Sequence, residues 1–278
     1  MDVGIAGWIL DARPSQSIAI ALRHGFQHVQ LDLGDDPLRG VDDVFSFVQA
    51  SNRQIYINAL GAKVLNDLGL TSSPASRSGS ACQSVIERTI QAAISLKCGL
   101  VFFPSFRRSK IYDLIGLKRT ARLLKRACEI VGKTGIVVAT ENDLGVHANS
   151  ALLDAVSEAN FRILLDTFNP VLGGNDPVVL VKTLAPWIAT QIHLKDGIQG
   201  QMGNVGLGLG EGRVERTLLT LNELSSVDVV ILETNYMRLG LSWIRQDLDW
   251  LAGTGVIPHC RRPAYSETRT KLSQWNEN

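Results

Sequence analysis

Short runs of apolar and β-branched residues alternate along this chain with longer stretches in which apolar residues recur at helical spacing. Such an alternation is typical of strand and helix units built around a parallel sheet. The predicted strands cover residues 3–6, 28–33, 55–60, 100–103, 136–142, 161–169, 191–197 and 227–235. The predicted helices cover residues 15–24, 41–50, 81–97, 111–131, 148–158, 177–187, 214–224 and 243–251. Because eight units close a barrel, the pattern predicts an α/β fold, a (β/α)8 TIM barrel, as a single domain over residues 1–258.

Two segments fall outside this repeat. Residues 71–80 are rich in Ser, Pro and Gly, which predicts a loop between the third strand and its helix. Residues 259–278 are polar and continue no unit, which predicts a C-terminal polar tail.

The composition narrows the class of protein. A chain of 278 residues with 45% hydrophobic residues can bury the core of one α/β barrel. Its formal net charge of +1 gives no long-range attraction to nucleic acid or to an anionic membrane. Residues 3–10 are apolar but short and follow an acid, so we expect a first strand there and no signal peptide. The expected partner is a small molecule, with no nucleic acid and no membrane.

Cysteines and basic residues do not change this picture. The four cysteines form no C-x-x-C pair, which favours reduced thiols and a cytoplasmic location. The fifth predicted helix carries several lysines and arginines between residues 118 and 126. A nucleic-acid patch is one interpretation, but these residues interleave with leucines, which favours a solvated helix face.

The last four predicted strands each end in one side chain that can bind a metal. These residues are Glu141, Asp166, His193 and Glu233. In a barrel of parallel strands they would share the carboxyl-terminal rim, where active sites are built. Three buried carboxylates repel one another unless a cation neutralises them, so the set predicts one bound divalent metal ion. Three oxygen ligands and one nitrogen favour Mn²⁺, Co²⁺ or Mg²⁺, with Zn²⁺ as a further candidate.

Each of these residues also has a structural interpretation. A single acid at a strand end often caps a helix or forms a loop salt bridge, and a single histidine is often a core residue. Their presence on four consecutive strands favours the metal site. Lys195 and Asp196 follow the histidine, and they either pair with each other or place Lys195 against a substrate.

The loops that follow the strands offer two further candidates. The glycine-rich segment 203–212 lies where barrels often bind phosphate on backbone N–H groups, although glycine-rich loops are weakly specific. The aromatic residues Trp8, Phe106 and Phe168 follow predicted strands, and they either line a sugar site or pack in the barrel.

On these residues the chain resembles the xylose isomerase-like barrel superfamily, the sugar phosphate isomerase and epimerase group. That group also contains ketose 3-epimerases, hydroxypyruvate isomerase, inosose dehydratase and endonuclease IV. The resemblance covers residues 1–255 and rests on the series Glu141, Asp166, His193 and Glu233, with the motifs at 193–196 and 208–212. In the ketose 3-epimerases the four side chains bind one divalent metal and the two glutamates also move the proton. The resemblance therefore implies catalytic roles for Glu141 and Glu233.

Two departures concern the substrate. Many members carry a substrate-contacting His three residues after the metal Asp, where this chain has Asn169. The epimerases place an Arg six residues after the metal His, where this chain has Gln199. The metal site therefore carries over better than the sugar specificity, and we assign Asn169 and Lys195 as candidate substrate-binding residues.

The resemblance implies proton transfer next to the carbonyl of a keto-sugar or a related small carbohydrate, through a metal-stabilised enediolate. Epimerisation or aldose-ketose isomerisation is the favoured reaction. A lyase of the inosose dehydratase type would expel a hydroxyl from the same intermediate. An endonuclease IV-like phosphodiesterase or a non-catalytic binding barrel are the remaining alternatives, and the nuclease is disfavoured because the chain has only five histidines. Family analogy also suggests a homo-oligomer.

Overall fold

Eight parallel strands form the inner wall of the protein in the computed structural model, which describes residues 1–51, 54–224 and 227–257. They are β1 (Asp2–Ala6), β2 (His28–Asp32), β3 (Tyr56–Gly61), β4 (Leu100–Pro104), β5 (Val137–Glu141), β6 (Phe161–Ile163), β7 (Gln191–Leu194) and β10 (Val229–Leu232). Between β7 and β10 a small antiparallel hairpin is formed by β8 (Gly197–Ile198) and β9 (Gln201–Met202). The order in the sheet is β6, β5, β4, β3, β2, β1, β10, β7.

The sheet closes on itself between β6 and β7. Isolated parallel bridges join Ile163 to Ile188 and Asp166 to His193. The backbone N–H of His193 donates to the carbonyl of Leu165 at 2.9 Å, which continues the pairing. The predicted (β/α)8 barrel is therefore confirmed.

Helices surround the sheet. They are α1 (Pro14–Arg23), α2 (Pro37–Ala50), α3 (Leu65–Leu68), α4 (Arg77–Ser95), α5 (Leu114–Val131), α6 (Val146–Val156), α7 (Asn169–Leu172), α8 (Pro177–Leu184), α9 (Val214–Leu224), α10 (Tyr236–Leu239) and α11 (Trp243–Gly253). Four are opened by side-chain caps, in which Ser76, Asp113, Asp176 and Asn235 accept N–H groups of the first turns of α4, α5, α8 and α10.

The core fills the space between the sheet and the helices. On α5, Leu117, Leu124 and Cys128 are buried against the sheet, whereas Lys118 and Arg122 are exposed. The basic residues of this helix therefore form its solvated face, as the interleaved leucines predicted. Among the described residues no helix is both long enough and apolar enough to span a bilayer.

The elements differ from the predictions mainly at their ends. The predicted loop 71–80 is wrong over its last four residues, because the Ser76 cap starts α4 at Arg77. The sixth strand is shorter than predicted, because the carboxylate of Asp166 accepts the N–H groups of Phe168 and Asn169 and turns the chain into α7. The predicted tail, residues 259–278, lies outside the described residues, and the domain boundary stays a prediction.

Candidate metal centre

The four predicted ligands meet at one rim of the barrel. Glu141 ends β5, His193 lies in β7, Asp166 bridges to His193, and Glu233 follows β10 directly. One ligand atom from each lies within 4.8 Å of the ligand atoms of the other three. This is the one cluster of its kind that the described part of the chain contains. Parallel strands bring together side chains that are up to 92 residues apart because their carboxyl ends share one edge.

The imidazole of His193 is oriented by a glutamine. Its Nε2 atom lies 2.8 Å from Oε1 of Gln30, and the Gln30 amide donates onward to Oε1 of Gln191 at 2.9 Å. With Nε2–H donating to Gln30, Nδ1 is the ring nitrogen that faces the acids. Nδ1 lies 3.3 Å from both Oε1 of Glu141 and Oε2 of Glu233. The chain therefore presents one defined nitrogen to the centre.

Each glutamate is held by a neutral donor. The side-chain amide of Asn169 donates to Oε1 of Glu141 at 2.7 Å. The indole Nε1–H of Trp8 donates to Oε1 of Glu233 at 2.8 Å. These hydrogen bonds fix the two carboxylates without neutralising them.

Lys195 lies inside the cluster and does not pair with Asp196. Its ammonium is 2.9 Å from Oε2 of Glu233 and 3.2 Å from Oδ2 of Asp166, and the residue is 4% exposed. The suggestion that Lys195 pairs with Asp196 is therefore wrong. A buried ammonium at this position places a positive charge next to the predicted metal ligands.

Burial and mutual attraction set the charges of the group. Burial raises the pKa of Asp166 to about 6, although Lys195 opposes the shift. For His193 burial disfavours the charged form, but Glu141 and Glu233 together outweigh it and raise the pKa to about 10. Burial would also raise the pKa of Glu233, but Lys195 and His193 hold it well below its usual range. Glu233 is therefore a carboxylate at neutral pH.

The donor set fits a divalent cation. Oδ1 of Asp166 accepts two backbone N–H groups, whereas the buried Oδ2 makes no hydrogen bond and has only the ammonium of Lys195 at ion-pair distance. Opposed oxygen ligands of a small divalent ion lie about 4.2 Å apart, so a separation of up to 4.8 Å closes with small side-chain shifts. Asp166 Oδ2 is the atom whose lone pairs a cation would satisfy.

Aromatic rings cover one side of the centre. The rings of Trp8 and Phe102 lie 5.7 Å and 5.3 Å from the His193 ring. Phe168, in contrast, is fully buried and packs against the position of Gly197. Trp8 thus lines the site, whereas Phe168 is a core residue.

Sequence reasoning did not identify Gln30, Gln191 or Phe102. All three lie within strands, where only the register decides which side chains point into the barrel. The sequence does contain one signal for Gln30, which lies between apolar residues in β2. A buried side-chain amide needs a hydrogen-bond partner, so a glutamine at such a position indicates a polar contact inside the barrel.

The glycine-rich segment 203–212 folds around a carboxylate of the chain itself. Asp196, which is 1% exposed, accepts the backbone N–H groups of Gly197 and Gly212 at Oδ1 and of Gly208 and Gly210 at Oδ2, at 2.8 to 3.0 Å. These four N–H groups are therefore not available to a phosphate.

The family of the chain follows from comparison with known proteins. A model of the family described as xylose isomerase-like TIM barrel matches residues 18–254. The chain belongs to this family, so the resemblance noted in the sequence is confirmed.

Relatives of known activity and solved structures agree with this assignment. The chain is 39% identical over 261 residues to 2-epi-5-epi-valiolone 7-phosphate 2-epimerase from Actinoplanes sp., covering 91% of this chain and 94% of that protein. Its fold is similar to that of IOLI protein with a binding zinc atom, with a TM-score of 0.76, 16% identity, and 93% and 99% of the two chains covered. It is also similar to L-ribulose 3-epimerase, with a TM-score of 0.72, 15% identity, and 98% and 100% covered. The prediction of an enzyme of the isomerase class is confirmed.

Proposed function

We propose that this protein is a divalent-metal-dependent epimerase that inverts a carbon next to the carbonyl of a small polyhydroxy ketone carrying a phosphate. The observation that carries the proposal is the group of four ligand atoms within 4.8 Å of one another at the barrel rim. The name of the Actinoplanes relative, which describes inversion at one carbon of a phosphorylated ketone, supports the substrate class. We infer that Glu141, Asp166, His193 and Glu233 hold the metal. Its identity, a cytoplasmic location and a homo-oligomeric state stay predictions.

The chemistry requires a base, an acid and a stabilised oxygen anion. A divalent cation held by these four side chains supplies positive charge beside the oxygen on which negative charge develops. Glu141 and Glu233 come from strands that are separated in the barrel by β6 and β7. One carboxylate removes the proton from one face of the carbon, and the other returns a proton to the opposite face. The low pKa of Glu233 keeps it deprotonated at neutral pH.

Asn169 and Lys195 are the proposed substrate-binding residues. The side-chain oxygen of Asn169 is buried and has no hydrogen-bond partner, while its N–H holds Glu141. This oxygen would accept a hydrogen bond from a hydroxyl group of the substrate. Lys195 would donate from its ammonium to a substrate oxygen and add a second positive charge near the developing anion.

The test is exchange of the carbon-bound proton in deuterated water. A panel of ketoses and ketose phosphates, including 2-epi-5-epi-valiolone 7-phosphate, is incubated with the protein and Mn²⁺ and followed by NMR. We expect Glu141→Gln and Glu233→Gln each to lower deuterium incorporation at least about 100-fold, because each removes one proton-transfer group.

The matched control is Glu158→Gln, which makes the same change at a glutamate paired with Lys125 on the outside of the barrel. It should retain exchange. Full exchange in both site variants would remove the two glutamates from the mechanism. A deoxy-keto product in place of an epimer would show a dehydratase instead.

A further inference from the structure

A phosphorylated substrate needs a group that binds its phosphate, and several obvious donors at the rim are already engaged. In the glycine-rich segment the N–H groups of Gly208, Gly210 and Gly212 serve Asp196. The ammonium groups of Lys110 and Lys195 contact Asp143 and Glu233. Arg107 and Arg213 pair with Asp67 and Asp176. A phosphate would have to displace a carboxylate from each of these cations.

Lys63 differs from these cations. It lies two residues beyond β3 on the same rim, it is half-buried, and no carboxylate of the described residues lies within 4.0 Å of its ammonium. The nearby carboxylate of Asp32 interacts electrostatically with Lys63, but its hydrogen bonds come from the backbone N–H groups of Gly34 and of Lys63. The ammonium of Lys63 therefore forms no close ion pair with the described residues at the mouth of the barrel.

The position of this ammonium is set by the wall of the site. Its Nζ atom lies over the ring of Trp8, 5.6 Å from the ring centroid, a distance at which the ring attracts a cation. At its edge the same indole donates its Nε1–H to Glu233 at 2.8 Å. Lys63 and a proposed proton-transfer group thus contact the same indole ring, which places the ammonium beside the proposed metal centre.

We propose that Lys63 is the phosphate-binding residue of this site and takes the phosphate monoester of the substrate. This inference rests on the proposed function. A lysine binds phosphate as a point charge with three donors. The contact with Trp8 holds the ammonium beside the ring, where it pairs with the phosphate dianion and selects phosphorylated over unphosphorylated ketones.

The experiment compares one ketose phosphate with its unphosphorylated counterpart in wild type, Lys63→Gln, Lys63→Arg and Arg107→Gln. The measured quantity is the ratio of kcat/KM for the two substrates. We expect Lys63→Gln to lower this ratio at least about 10-fold through KM of the phosphorylated substrate, since one charge-assisted contact is worth about that factor. Lys63→Arg should keep most of the preference, because the charge is retained. Arg107→Gln removes a rim charge that is already paired with Asp67, and it should leave the ratio within about twofold.

Inorganic phosphate serves as the second probe, because it shows whether a free anion binds at the same place as the phosphate group of the substrate. It should compete with the ketose phosphate, and its inhibition constant should rise in Lys63→Gln by a factor similar to that of KM. Competition without any change in the variant would place the anion elsewhere. An unchanged ratio in Lys63→Gln, or an equal fall in Arg107→Gln, would overturn the assignment. If wild type converts neither substrate, the proposed function fails, and calorimetric binding of inorganic phosphate to the same variants still decides whether Lys63 binds it.

Discussion

The imidazole of His193 offers one nitrogen to the centre because Gln30 occupies the other. Gln30 in turn is fixed by Gln191, whose amide donates to the carbonyl of Asn58. A chain of neutral side chains across the barrel interior therefore holds Nε2–H of His193, so the imidazole that has lost its Nδ1 proton keeps a defined tautomer. Neutral partners also leave the charge balance of the site to its acids, Lys195 and the proposed cation.

We predict that Gln30→Met weakens metal binding about 10- to 100-fold, since outer partners of a metal-binding histidine are worth that much. Methionine keeps the shape of the buried residue but accepts no strong hydrogen bond from Nε2–H. Calorimetric titration with Mn²⁺ measures the change. Gln191→Met removes the next link and leaves the acceptor of His193 in place, so it should have a smaller effect. Equal affinities in wild type and Gln30→Met would show that the tautomer is set by another group.

The residue scale also shows what a single sequence reveals. Glu141, Asp166, His193 and Glu233 could be predicted because each is the polar end of an apolar run, and parallel strands end together. The contacts of Lys195 could not be predicted, because its neighbour Asp196 is an equally plausible partner in sequence. The structure separates the two: Lys195 faces the acids, and Asp196 faces backbone N–H groups.

Among the elements, the segment from β7 to α9 depends on one carboxylate. Asp196 accepts four backbone N–H groups, and three of them belong to glycines within residues 208–212. A Cβ atom at Gly210 would lie 2.3 Å from Oδ1 of Asp196, so a side chain there would push the carboxylate away. The glycines are therefore required because their backbone approaches the carboxylate of Asp196 closely. This contact explains the glycine-rich motif without a bound phosphate.

We predict that Asp196→Asn loosens this segment while the barrel remains folded. Asparagine has one acceptor oxygen, so the two N–H groups that reach Oδ2, those of Gly208 and Gly210, face an NH₂ group and lose their partner. The local cost is about 2–4 kcal/mol. Hydrogen exchange of residues 203–212 should speed up at least about 10-fold, while exchange in the strands stays unchanged. Glu211→Gln, a similar change at an exposed position of the same segment, should leave exchange as in wild type.

The elements also show why boundaries were harder to predict than the number of units. Eight apolar runs are visible because every strand of a closed barrel is buried on both faces. Their ends depend on side-chain hydrogen bonds that a pattern does not contain, such as the cap by Ser76 at α4 and the turn made by Asp166 after β6. The short helices α3, α7 and α10 lie within loops. Each has four residues, which are too few to give a periodic pattern of apolar positions.

For the whole molecule, the barrel rim carries an arrangement of charge that folding alone does not favour. Three carboxylates meet one imidazole and one ammonium in a place where His193 and Lys195 are nearly inaccessible to solvent. Burying charged groups costs free energy unless each has partners, and Oδ2 of Asp166 lacks a hydrogen bond. A bound divalent cation would restore the balance, so its binding energy should add directly to the stability of the folded chain.

We therefore predict that a chelator lowers the melting temperature and that added metal restores it. At a metal concentration 100 times Kd the folded state gains about 2.7 kcal/mol, which for a domain of this size corresponds to about 5 °C. The metal must displace a proton from His193, whose pKa is raised to about 10, so affinity and the shift should both be larger at pH 8 than at pH 6. Differential scanning calorimetry with Mn²⁺, Co²⁺, Mg²⁺ and Zn²⁺ in turn also identifies the preferred ion.

Asp166→Asn is the control, because it removes one ligand charge, and it should melt at the same temperature with and without metal. A shift of equal size in that variant would place the cation away from this rim.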